Sequence, residues 1–160
     1  MNGTFSALAV NLGALLSGSA VYSIPGFQRP YSWTMVEVAR LLDDILFAVN
    51  ESRQEAGTVG VCFLGTVVLI KTGEGPTASR GGELRSNFDI VDGQQRLVTL
   101  TMMFAALRDL ARAEGDTKAA ALLDQHISLQ AGSRAGARAY RLALRQHDEA
   151  ILVGYAQQMD

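Results

Sequence analysis

Residues 88–113 constrain the fold more than any other stretch. Phe88, Ile90 and Val91 form a short apolar, partly β-branched run, as a strand requires. Asp92-Gly93 is a turn signal. From about Gln94 the pattern turns helical. Leu97, Leu100, Phe104, Leu107 and Ala111 recur at helical spacing, and Val98, Met102, Met103 and Ala105 widen the stripe. A helix apolar nearly all round is a buried helix. The stretch predicts a strand, a glycine turn and a central buried helix.

That arrangement has a chemical consequence. The first N–H groups of a helix lack intrahelical partners, and the helix dipole adds positive potential there, so the turn can hold a phosphate or another anion. Gly93 lets the backbone come close to a ligand. Gln94 and Gln95 offer amide donors and acceptors. Arg96 in the first turn opposes the dipole by about 0.3–1 kcal/mol. A guanidinium there is explained by an anion in front of it, which it grips bidentately. It is also explained if Asp92 caps the helix and pairs with Arg96, with no ligand.

A chain of 160 residues is one domain, or most of one. Hydrophobic residues at 48% and charged residues at 19% mark it as globular. A net charge of −2 and a pI near 5.7 do not advertise a nucleic-acid binder. Cys62 is the single cysteine, so there is neither a disulfide framework nor a cysteine metal site. No secretory signal or membrane-length apolar run is visible, and a reducing cytoplasm is the expected location. No P-loop, dinucleotide fingerprint, HExxH or CxxC motif occurs. His126 and His147 are isolated, without partners for a triad.

The rest of the chain arranges itself around that helix. Phe5, Leu8, Leu12 and Leu15 predict an N-terminal helix capped by Thr4 and ended by Gly18. Residues 20–24 read as a short strand. Pro25 and Pro30 force residues 24–33 into a rigid, irregular arm that carries Gln28, Arg29, Tyr31 and Trp33. Thr34 to Glu37 is a capping box, so a helix starts at Met35; residues 51–57 are a polar loop. Asp43 and Asp44 fall on its solvated face. Residues 59–71 read as a central strand buried on both faces, with Gly65 marking a close approach of ligand or backbone. Residues 72–87 read as a Gly-rich insertion closing an antiparallel hairpin. Gly115 breaks the central helix, and Asp116 caps a helix running to about Leu129. Residues 130–139 are a loop, and 140–145 a half-buried strand or extended arm. Arg134, Arg138, Arg141 and Arg145 are the only basic concentration, either a phosphate-contacting patch or a solvated surface.

Ile24-Pro25 with Gln28-Arg29-Pro30-Tyr31 and Trp33, then Phe63-Leu64-Gly65, then Ile90-Val91-Asp92-Gly93-Gln94-Gln95-Arg96-Leu97 with Thr99-Leu100, resemble the N-terminal domain of GmrSD-type restriction endonucleases. Order and spacing agree, and residues 140–148 resemble the family's next block. Val98 stands where Thr is frequent and Phe27 where Tyr is frequent. The resemblance implies an α/β (α+β) fold: a ParB/sulfiredoxin-like small mixed sheet with a buried central helix, followed by helices. The nucleotide-binding core would be residues 1–115, and residues 116–160 the start of a helical extension that continues beyond them. The Asp-Gly-Gln-Gln-Arg motif is tied in that family to NTP binding and hydrolysis. Family members act in defence against foreign, modified DNA, often with a C-terminal HNH-type nuclease domain.

The resulting expectation is an NTP-binding, NTP-hydrolysing regulatory domain using GTP or ATP, with Mg2+ as a candidate metal. Arg96 and Arg29 clamp phosphates, and the Gly93–Gln95 backbone supplies donors. Asp92 holds a metal, orients water or fixes Arg96, while Gln94 or Gln95 positions the attacking water. Gln28, Tyr31, Trp33, Gly65 and Thr99 complete the expected nucleotide site. The alternative is a non-enzymatic DNA-sensing module, with Trp33 or Tyr31 stacking on a modified base. A third reading makes the motif a staple of the core and nothing more.

Overall fold

The computed structural model describes residues 5–54, 61–76, 84–129 and 139–144. Its centre is a mixed sheet of four strands in the order β2-β3-β1-β6. These are β1 (Val21–Ser23), β2 (Val68–Pro76), β3 (Leu84–Asp92) and β6 (Leu142–Ala143). β2 and β3 form the expected antiparallel hairpin, and β1 lies parallel to both β3 and β6. A short antiparallel pair, β4 (Ser128–Leu129) with β5 (Ala139–Tyr140), stands apart. The helices are α1 (Leu12–Leu15), α2 (Met35–Gln54), α3 (Gln94–Ala113) and α4 (Thr117–Ile127). The small mixed sheet and buried helix are those the sequence predicts.

The core lies where α3 crosses the sheet: Leu16, Tyr22, Ile90, Leu97, Val98, Ala105, Ile127 and Leu142 pack together. Tyr22 and Phe88 sit opposite in register and stack at 5.9 Å. Burial pushes the Tyr22 phenol above its usual pKa. β6 brings residues from beyond position 116 into the main sheet. Burial along α3 is confined to its amino-terminal half and one later face; Leu107 and Leu110 are exposed.

Local rules account for the element starts. Thr34 donates its N–H and its hydroxyl to Glu37 Oε2, at 2.7 and 2.6 Å, and its Oγ1 accepts from Val36 N. This is the capping box that opens α2 at Met35. Those two donors, the hydroxyl foremost, hold the Glu37 carboxyl below its usual pKa. Asp116 Oδ1 accepts from Ala119 N and opens α4, and Gly115, at φ 78°, separates α4 from α3. Asp43 and Asp44 are exposed, as expected.

Several expectations are corrected. The N-terminal helix is a single turn, Leu12–Leu15, capped by Asn11 Oδ1 on Ala14 N at 2.7 Å. Phe5 and Leu8, needed for the longer helix, are 85% and 81% exposed, so burial does not support it; Thr4 lies outside the described residues. α2 runs on to Gln54 where a polar loop from residue 51 was predicted, since solvated polar residues continue an exposed helix at little cost. The apolar run from residue 59 is not a central strand. Residues 61–67 carry no strand, β2 begins at Val68, and it is an edge strand. Gly65, at φ 90°, turns the chain before the ladder starts, and Ile70 faces solvent because nothing covers that edge face. Strand pairing also reaches into the supposed insertion: Gly73, Glu74, Gly75 and Pro76 pair with Asn87, Ser86, Arg85 and Leu84, after register shifts that absorb the irregular sequence. α4 stops at Ile127, and the alternating 140–145 run divides between two small sheets at Arg141.

Arg108 is the unexpected core residue. It is 1% exposed, with Nε on Asp109 Oδ1 at 2.8 Å and Nη1 on Asp124 Oδ1 at 3.2 Å, and so ties α3 to α4. Arg108→Ala is expected to destabilise the domain by about 2–4 kcal/mol, because truncation opens a cavity between α3 and α4 and takes the guanidinium away from both aspartates. Urea unfolding measures this; a loss below about 1 kcal/mol would show that the pair carries no weight.

Candidate functional site

The amino end of α3 is held between two segments, the 24–33 arm and residues 65–67. The cause is local. α3 starts at an N-cap glycine, Gly93, in the left-handed region at φ 88°, and no side chain caps the helix. Asp92 does not cap it; its Oδ1 accepts from Gly93 N at 2.8 Å. The N–H groups of Gln94, Gln95 and Arg96 therefore have no capping partner among the described residues.

The arm is strapped on by side chains reading its backbone. Pro25 opens a turn closed by Gln28 N on Pro25 O at 3.0 Å, and past that turn residues 29–33 join no ladder. Gln28 Nε2 donates to Val91 O at 2.9 Å. Gln94 Nε2 donates to Arg29 O at 2.6 Å, and Gln95 Nε2 to Pro30 O at 3.1 Å. Gln95 Oε1 accepts from Ser32 N at 2.7 Å and Trp33 N at 3.3 Å. Thr99 Oγ1 donates its one proton to Gln95 O, so the 3.0 Å contact with Tyr31 is the phenol donating to Thr99. Gln28, Gln95, Tyr31 and Thr99 thus hold the arm in place, with Trp33 half-buried beside them.

Arg96 lies on the other flank. Its guanidinium lies flat over Gly65, where an added Cβ would stand 2.8–2.9 Å from Cζ and both terminal nitrogens. Nη1 donates to Thr66 O at 3.1 Å. The expected Asp92–Arg96 pair does not form among the described residues, and Arg96 keeps Nε and Nη2 without a partner there. A Cβ added to Gly93 would stand 3.0 Å from Val67 Cγ2 and 3.1 Å from Thr66 O. At Gly65 the close neighbour is the Arg96 side chain, and at Gly93 it is residues 66–67 of the chain itself. Gly65→Ala is expected to lower stability by about 1–2 kcal/mol through the left-handed backbone. It also pushes the flexible Arg96 aside; the thermal unfolding midpoint is expected to fall modestly, and an unchanged midpoint would show that the position carries no strain.

A small cleft opens between the arm and α3, lined by Ile24, Arg29, Tyr31, Gln94, Gln95, Val98 and Leu144. Its free volume, about 10 Å³, is that of one water. Arg29 meets the α3 amino end through its carbonyl and lines this cleft, whereas Arg96 lies on the other flank, over Gly65. Gln94 is 7% exposed, and its Oε1 is buried with no partner among the described residues.

The basic concentration fares differently. Arg134, Arg138 and Arg145 lie outside the described residues. Arg141 is corrected: it is 6% exposed, with Nε on Gln125 O at 2.7 Å and Nη1 on Gly18 O at 2.7 Å. Burial pulls its pKa below the usual guanidinium value. It struts β6 against the α1–β1 turn and cannot reach DNA. The sequence did not single out Arg108 or the Thr66 carbonyl. Arg108 shares a helical face with Leu97, Thr101 and Ala105, which is a legible sign of a buried arginine; a backbone acceptor leaves no sign in a sequence.

No group of three or more His, Cys, Asp or Glu suited to a metal occurs among the described residues. No helix among them is long and apolar enough to cross a membrane.

Fold and site together define a small α/β domain whose buried helix begins at an uncapped, cationic amino end. The family model for the GmrSD restriction endonuclease N-terminal domain matches residues 12–157, and the chain belongs to that family. This places it in a restriction system, and so points to phage defence. No curated protein matches the chain significantly.

Proposed function

We propose that this domain binds and hydrolyses a nucleoside triphosphate, GTP or ATP, as the regulatory part of a restriction system directed at modified DNA. One observation carries the reading. The α3 amino end presents uncapped N–H groups beside Arg96, a cation placed against the helix dipole with donors left over. An anion relieves both features at once. Arg96 and the Gln94–Arg96 backbone would receive phosphate, with Arg29 approaching from the arm. Asp92, exposed and with only Oδ1 engaged, is the residue able to share a Mg2+ with those phosphates. The cleft is too small for a nucleotide, whose phosphates would lie at the helix end outside it. Nucleotide turnover would then be relayed to an HNH-type nuclease domain or subunit.

Calorimetric titration of ATP and of GTP tests the reading. Saturable binding of one of them, competed by inorganic phosphate, is expected. No heat from either at millimolar concentration overturns it.

A further inference from the structure

We propose that the cleft between the arm and α3 seats one water, and that Gln94, not Gln95, positions it for attack on the nucleotide. The attack half rests on the nucleotide reading above; the seat does not. Both glutamines were candidates for this role, and their hydrogen bonds separate them. Gln95 has committed both ends of its amide to the arm: Oε1 to Ser32 N and Trp33 N, Nε2 to Pro30 O. It has no acceptor left to orient anything. Gln94 has committed only Nε2, to Arg29 O at 2.6 Å. That bond fixes which end of the amide is which, because a carbonyl can only accept. Oε1 is then an acceptor on a side chain 7% exposed, itself buried, and without a partner among the described residues.

A buried carbonyl oxygen left in that state needs a donor. The adjoining cleft holds about 10 Å³, the volume of one water, and its wall includes Arg29 and Tyr31. With Arg29 and the positive helix end close by, a neutral donor suits the seat better than a cation. A water that donates one proton to Gln94 Oε1 turns its lone pairs elsewhere. Gln94 is also the first residue of α3, so its side chain and the proposed phosphate site share one backbone position. In the proposed step the water oxygen bonds the terminal phosphorus as the bridging P–O bond breaks. The nucleoside diphosphate leaves with the electron pair, and the water's proton ends on the released phosphate.

The test has a density arm and a kinetic arm, on the full chain. A high-resolution crystal structure of the wild type is expected to show a water within hydrogen-bond distance of Gln94 Oε1. Oε1 turned onto a protein donor, or no water there, overturns the seat. In the kinetic arm, Gln94→Met is expected to lose about 100-fold in kcat, the scale of a misplaced reacting group, with little change in affinity for a non-hydrolysable analogue. Gln94→Glu is the conservative control. Its protonated carboxyl reproduces both the donor to Arg29 O and the free acceptor, so its turnover should recover as pH falls, whereas Gln94→Met should not. Wild-type kcat in Gln94→Met, or no difference between the two variants across pH, overturns the attack role. Nucleotide binding without any turnover by the wild type overturns it too. If the wild type binds no nucleotide, the nucleotide reading falls and the attack role with it, and the density alone decides the seat.

Discussion

Arg96→Ala is expected to weaken nucleoside triphosphate binding by about 10- to 100-fold while leaving the fold nearly as stable as the wild type. The first figure follows from losing charge-assisted hydrogen bonds to phosphate, worth about 1.5–3 kcal/mol. The second follows from two opposed effects. In the free protein Arg96 gives one bond, to Thr66 O at 3.1 Å, from a half-exposed position. Such a bond contributes about 1 kcal/mol. Removing the cation from the first turn of α3 returns about 0.3–1 kcal/mol of unfavourable dipole energy. The net change is then within about 1 kcal/mol. Titration of nucleotide and thermal unfolding of the same preparation separate the two. A stability loss of several kcal/mol with unchanged affinity would make Arg96 a staple of the 65–67 segment and nothing else.

Gln95→Ala is expected to do the reverse, costing stability first. Gln95 is 6% exposed and satisfies three backbone groups of the arm. Alanine leaves those groups without partners and opens a cavity beside Val98. Water reaches part of the freed arm, so the cost falls to about 2–4 kcal/mol rather than the full sum of buried losses. Trp33, the only tryptophan, reports on the arm directly. It is half-buried, and its backbone N–H donates to Gln95 itself. A red-shifted emission with an earlier urea midpoint is the expected pair of results. An unshifted emission at an unchanged midpoint would mean that the prolines alone hold the arm.

The strand–turn–helix at residues 88–113 was legible because its pattern and its environment agree. Ile90, Leu97, Val98 and Leu100 are apolar by sequence and buried in the fold. The capping residues Thr34 and Asp116 were legible because a cap is a local bond. The run at residues 59–71 misled for the opposite reason. Val61 and Phe63 are 88% and 83% exposed, so continuous apolarity there does not report double-sided burial. Only the pairing of β2 with β3 alone reveals an edge. At the site, the sequence brought the arm and the motif into view together. It did not show that the glutamines face the arm while Arg96 faces Gly65. Adjacent helical positions point apart by about 100°, and which flank receives which segment is a tertiary fact. The sequence also grouped Arg141 with three other arginines by spacing, although its guanidinium is spent on carbonyls inside the domain.

The most direct measurement is a nucleotide titration followed by backbone amide resonances. Binding at the α3 amino end predicts the largest shifts at Gln94, Gln95 and Arg96, saturating with one affinity and absent in Arg96→Ala. Shifts that leave those three amides unmoved and gather elsewhere would contradict an anion site at the start of the buried helix.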